Sequence, residues 1–76
     1  MGAKELAAQV SSKDPEVGLA AVAALRRLLT DVERLQVDNA RDRGWSWEDI
    51  AQVLGVTRQS VHEKHRNRRK AQGKED

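Results

Sequence analysis

The chain has no cysteine, tyrosine or phenylalanine, only one proline, and two aromatic residues, Trp45 and Trp47. Without cysteine, neither a disulfide framework nor a thiolate zinc site is possible. With two tryptophans, the rows of stacking side chains that serve most single-strand binders are largely missing. No apolar run is long enough for a bilayer, and the opening MGAKELAAQV is too polar for a secretory leader. Met-Gly is a poor myristoylation signal here, because Leu6 stands where Ser or Thr is needed. The expected setting is the cytoplasm, with no membrane contact. The sequence also lacks a phosphate loop and a nucleophile elbow, and 76 residues leave little volume for a substrate pocket. Neither enzymatic activity nor a cofactor is expected.

What is present is charge, unevenly placed. Residues 1–55 hold 7 Lys/Arg against 9 Asp/Glu, and residues 56–76 hold 7 against 3. A near-neutral body with a basic end points to a polyanion partner, most often nucleic acid. A solvated tail explains the same charge without any partner. The size allows one small domain, which buries only about 60% of its unfolded surface and gains from a partner chain.

The apolar spacing predicts an all-α chain. Ala3, Leu6, Ala7 and Val10 recur at helical spacing, so residues 1–14 read as a short helix and a linker. Asp14 before Pro15 is a helix start, an N-cap followed by proline at the first helical position. From 15 to 43 nothing but Gly18 weakens a helix, which would be a rod of about 43 Å. Leu25, Leu28, Val32 and Leu35 follow a 3-4-3 spacing, widened by Val22 and Leu29. Such a stripe serves either an intramolecular core or a homodimer seam.

Gly44 is placed to end the long helix as a left-handed cap. In WSWEDIAQVLG, Ser46 is the N-cap and Asp49 completes an approximate capping box, with Trp45 set to pack on Ile50. Ile50, Ala51, Val53 and Leu54 are expected to face inward up to Gly55. Thr57 then caps a second helix running from Arg58 into the basic end. Ala51 is small where the second helix must cross, Gly55 supplies the positive φ of the turn, and Val56 and Val61 would plug into Ile50 and Leu54. These are the ingredients of a helix-turn-helix over 46–70, within a domain of residues 15–76 that is a small helical bundle with a long preceding helix.

The stretch SWEDIAQVLGVTRQSVHEKHR resembles the helix-turn-helix of phage repressors and that of the promoter-reading region of bacterial sigma factors. It covers about 21 of 76 residues. The chain looks like a small actinobacterial-type helix-turn-helix regulator. That resemblance implies sequence-specific binding of double-stranded DNA at the nucleoid, with base contacts carried by Arg58, Gln59, His62, Glu63 and Arg66. It places Ser46, Trp47 and Thr57 on phosphate or at the helix ends. One position departs from the pattern: Lys64 stands where an apolar residue is usual. Either its stem covers the core, or His65 or a residue of the long helix supplies the packing.

The side chains support this reading on their own chemistry. Arg58 can grip guanine O6 and N7, Gln59 suits adenine N6 and N7, and Glu63 can accept from cytosine N4. Glu63 has a plain alternative, a surface ion pair with Arg66. Ser60, Lys64, Arg66, Arg68, Arg69 and Lys70 add backbone and phosphate contacts that would make affinity fall with salt. The HEKH run invites a metal, but His62 and His65 are three apart, not four as in H-E-x-x-H, and no further ligand is evident. Two other readings use the same residues. One is a protein-interaction or dimerisation module, RNA polymerase being a candidate partner; the other is an arginine-rich RNA binder resting on RNRRK.

Overall fold

The computed structural model describes residues 2–75, and those residues form helices without a strand. The order is α1 (Ala3–Val10), α2 (Pro15–Asp42), α3 (Trp47–Leu54) and α4 (Arg58–Ala71). No described helix is long and apolar enough to cross a membrane. The chain divides into two compact units, one ending at Val32 and the other beginning at Glu33, so the division falls within α2.

In the first unit, Asp14 caps α2 by accepting the Glu16 N–H at 3.0 Å, with Pro15 as the first helical residue. Leu6 and Ala21 are its buried apolar side chains. Gly18 faces the end of α1 so closely that an added Cβ would lie 3.7 Å from the Ser12 carbonyl oxygen. That is ordinary contact, so the glycine fits the approach without being required by it.

The second unit is a small bundle of the last turns of α2 with α3 and α4. Gly44, at φ +89°, ends α2 in a Schellman turn: Gly44 N–H donates to the Arg41 carbonyl and Trp45 N–H to that of Ala40. Ser46 opens α3, its Oγ accepting the Asp49 N–H at 3.0 Å while Asp49 Oδ2 accepts the Ser46 N–H at 3.4 Å. Aspartate thus closes the capping box in place of glutamate. Gly55, at φ +73°, ends α3, and Thr57 opens α4 by accepting the Ser60 N–H at 3.1 Å.

The core of this unit is Val37, Trp47, Ile50, Ala51 and Val61, with Ala40 packed against it. Here the outcome differs from the sequence expectation in three places. Trp47, not Trp45, is the core aromatic, because positions 47, 50 and 51 share one face of α3 while Trp45 precedes the cap and stays exposed. Val53 is 74% exposed, since two residues past Ala51 lies on the opposite side of the helix. Leu54 and Val56 are also exposed: they lie at the end of α3 and in the turn, beyond the cover that Val37, Ala40 and Val61 provide.

Candidate nucleic-acid interface

Helix α4 has two sides with opposite duties. Val61, His65 and Arg69 recur every four residues and are all buried. Gln59, Glu63 and Lys70 lie on the far side and are exposed, as are Arg58 and Ser60 in the first turn, while Arg66 is half-buried at the margin. The basic run is therefore not a uniform cationic surface.

Its inner edge is neutralised by acids of α2 and by Glu75. Arg69 is 2% exposed, and its guanidinium meets Asp38 Oδ1 at 3.0 Å, Asp42 Oδ1 at 2.9 Å and Glu75 Oε1 at 2.9 Å. Burial alone would lower its pKa, but the three carboxylates outweigh it and raise the value. Arg69, expected on phosphate, is buried among these acids. Arg68 is likewise engaged, with Nη1 on Asp38 Oδ2 at 2.7 Å and Nη2 donating to His65 Nδ1 at 3.1 Å. Lys64 reaches back to Glu33 at 2.8 Å, although half of its side chain remains in solvent.

His65 resolves the odd position beside Lys64. It is buried, takes the packing role, and meets Glu33 Oε2 through Nε2 at 2.8 Å. Because Arg68 donates to Nδ1, the neutral tautomer with its proton on Nε2 satisfies both contacts. His62 goes elsewhere, edge-on to Trp47 with centroids 5.4 Å apart. The HEKH histidines thus serve two different neighbours, the core residue Trp47 and the half-buried Glu33 carboxylate.

The acids respond electrostatically. Arg68 first, and then Arg69, hold the Asp38 carboxyl at about 2 against the opposing effect of burial. Arg41 first, and then Arg69, do the same for Glu75, also at about 2. Arg41 grips Glu75 through both oxygens, at 2.7 and 2.8 Å, donates to the Trp45 carbonyl, and lies 4.8 Å from the Trp47 ring centroid. Lys64 lowers Glu33 against burial, with His65 assisting.

Glu75 reaches this cluster because Gly73, at φ +74°, turns the chain back: Gly73 N–H donates to the Lys70 carbonyl and Lys74 N–H to that of Arg69. Residues 71–75, AQGKE, thus form a Schellman hook. A glycine just past a helix was the signal for it.

Of the remaining expected contacts, Trp47 is buried, and the Ser46 and Thr57 side chains cap their helices. The Ser60 hydroxyl donates to the Thr57 carbonyl at 3.1 Å. Glu63 accepts from Gln59 at 3.1 Å in place of the alternative pairing with Arg66. Among the described residues, no ion pair involves Arg58, Arg66 or Lys70. A shallow cleft of about 310 Å³ on this unit is lined by Arg43, Gly44, Trp45, Asp49, Gln52 and Val53. Comparison of the chain with protein-family models, with curated proteins and with solved structures finds no match in any of the three.

Proposed function

We propose that the chain binds double-stranded DNA sequence-specifically, as a transcriptional regulator, with α3 and α4 acting as a helix-turn-helix and α4 entering the major groove. The observation that carries this is the division of α4. Beyond the first turn its inner side is committed to core and carboxylates, while Gln59, Glu63 and Lys70 share the solvent side with Arg66 at its margin, and Arg58 is exposed at the open end of the helix. A major groove about 12 Å wide admits such a helix. The basic residues outside ion pairs supply phosphate attraction without crowding the base-reading turn.

The test is selection of bound sites from a random duplex pool, followed by titration against salt. Arg58→Ala is expected to cost about 1–3 kcal/mol on the selected site and to relax preference at one base pair. Lys70→Ala is expected to weaken all duplexes alike and reduce the salt slope by about one. Equal losses for both variants on selected and random duplex would remove the base-reading role of Arg58. Tighter binding to a hairpin RNA would favour the RNA reading, and no duplex affinity at moderate salt the adaptor reading.

One recognition helix gives limited specificity, and the reading includes a second copy of the chain. Leu28, Leu29, Val32 and Leu35 of α2 are exposed, Leu35 at 69%, at spacing suited to a helix-helix seam. Two-fold copies would address half-sites about 34–36 Å apart. The expected result is a dimer mass in sedimentation that falls to the monomer in the Leu28→Lys, Leu35→Lys double variant. A monomer for the parent chain at all concentrations removes the dimer.

A further inference from the structure

Gln59 and Glu63 stand one turn apart on the solvent side of α4, and Gln59 Nε2 donates to Glu63 Oε1 at 3.1 Å. This bond changes what each side chain can offer. Reading adenine takes both halves of a glutamine amide, the oxygen for N6–H and an N–H for N7. Here the amide nitrogen is already directed at a carboxylate. Glu63, in turn, is in no ion pair among the described residues, so its charge is not spent on Arg66 or Lys70.

We propose that Gln59 and Glu63 form one recognition unit for a C·G base pair: Glu63 accepts from cytosine N4, and Gln59 holds the carboxylate and offers its second N–H to the guanine O6. The proposal rests on the reading of α4 as a major-groove helix.

The chemistry selects the base. An ionised carboxylate only accepts hydrogen bonds. In the major groove, guanine shows N7 and O6, thymine shows O4, and adenine sets N7 beside its N6 amino group, so each places an acceptor against a carboxylate. Cytosine alone offers a donor without an acceptor on the same base. Its partner guanine presents O6 next to N4, which matches an amide N–H carried beside the carboxylate. A carboxylate near phosphates is repelled unless a donor meets it, so Glu63 penalises the other three base pairs more than it strengthens the right one. Gln59 contributes by fixing the glutamate rotamer before binding, which lowers the ordering required in the complex. Gln59 is on this account a positioning residue for Glu63 as much as a reader.

The experiment titrates the parent chain, Glu63→Gln and Gln59→Ala against the selected duplex, each of its single base-pair variants and a random duplex. Both side chains are exposed, and unchanged far-UV circular dichroism checks that the fold is kept. The parent chain is expected to prefer C·G at one position by about five- to a hundred-fold. Glu63→Gln should bring that position to near indifference, leave the Arg58-dependent position intact, and leave affinity for random duplex equal or higher. Gln59→Ala should weaken preference at the same position and no other. Retention of the C·G preference by Glu63→Gln overturns the proposal, as does loss of preference at a separate A·T position in Gln59→Ala. The DNA-binding reading itself fails differently, by absence of any duplex preference in the parent chain, and takes the proposal with it.

Discussion

Arg69→Ala is expected to lower the stability of the fold by about 3–5 kcal/mol, the usual cost of removing one partner from a buried ion pair. The guanidinium is the common partner of Asp38, Asp42 and Glu75, at 2.9 to 3.0 Å from each, and is nearly free of solvent. Removing it leaves carboxylates facing one another around a void. Asp42 is half exposed and would recover water, while Asp38 and Glu75 are far more enclosed. A chain of 76 residues has roughly 4–11 kcal/mol in all, so this single loss is a large part of it. Urea denaturation followed by circular dichroism is the measurement. Lysine at 69 should rescue only part of the effect, because an ammonium lacks the planar fork that serves three acceptors at once. Lys70→Ala, one residue along, should melt like the parent chain. An Arg69→Ala protein with the parent urea midpoint and reduced DNA affinity would return Arg69 to the phosphate-binding set.

Adjacent residues with opposite duties show what sequence alone can and cannot tell. Helix ends were legible because their signals are local. Asp14 with Pro15, Gly44, Ser46 with Asp49, Gly55 and Thr57 each act within about four residues, and each forms the cap that its chemistry suggests. The positions of Ala51 and Val61 in the core were legible for the same reason, since the turn between α3 and α4 fixes what faces what. The spacing from Val61 also turns His65 and Arg69 inward, but the acids that meet them were not legible. What neutralises the inward side depends on Asp38, thirty-one residues before Arg69, and on Glu33, thirty-two before His65. No local rule connects those acids to their partners. Acids on the Val37 side of α2 were the only hint, and they read equally well as a solvated face.

The aromatic pair teaches a narrower lesson. A residue before the N-cap often packs on the first turn, which favours Trp45. The face of a short helix is set by its own spacing, and 47, 50 and 51 form it here. When a cap rule and a face rule compete over two neighbouring tryptophans, the face buries more apolar surface and prevails. Val53, Leu54 and Val56 failed for the converse reason: apolar residues near a turn are buried only if another element covers them, and in this unit the cover ends short.

The same carboxylate cluster predicts a steep acid response. Asp38 and Glu75 titrate at about 2 in the folded chain, below their ordinary values of 3.8 and 4.5. A depressed folded pKa means that the stabilisation is complete above the unfolded value and disappears as pH falls through the folded one. The window is therefore about pH 4.5 down to 2. At about 1.4 kcal/mol per unit, each group contributes on the order of 2–3 kcal/mol. Because both share Arg69, their joint loss should be smaller than two independent terms, roughly 3–5 kcal/mol. For a domain of this size each kcal/mol moves the melting temperature by about 4–8 °C. Melting curves from pH 6 to 2 should show a plateau and then a fall beginning below about pH 4.5. Asp38→Asn separates this cluster from the remaining carboxylates. It should start lower at pH 6 and descend less between pH 4 and 2, since the group that titrates is gone. Added salt should blunt the response only slightly, because the pairs are enclosed and poorly screened. A parent chain whose melting temperature stays level down to pH 2.5 would mean that Arg41, Arg68 and Arg69 do not hold these acids ionised.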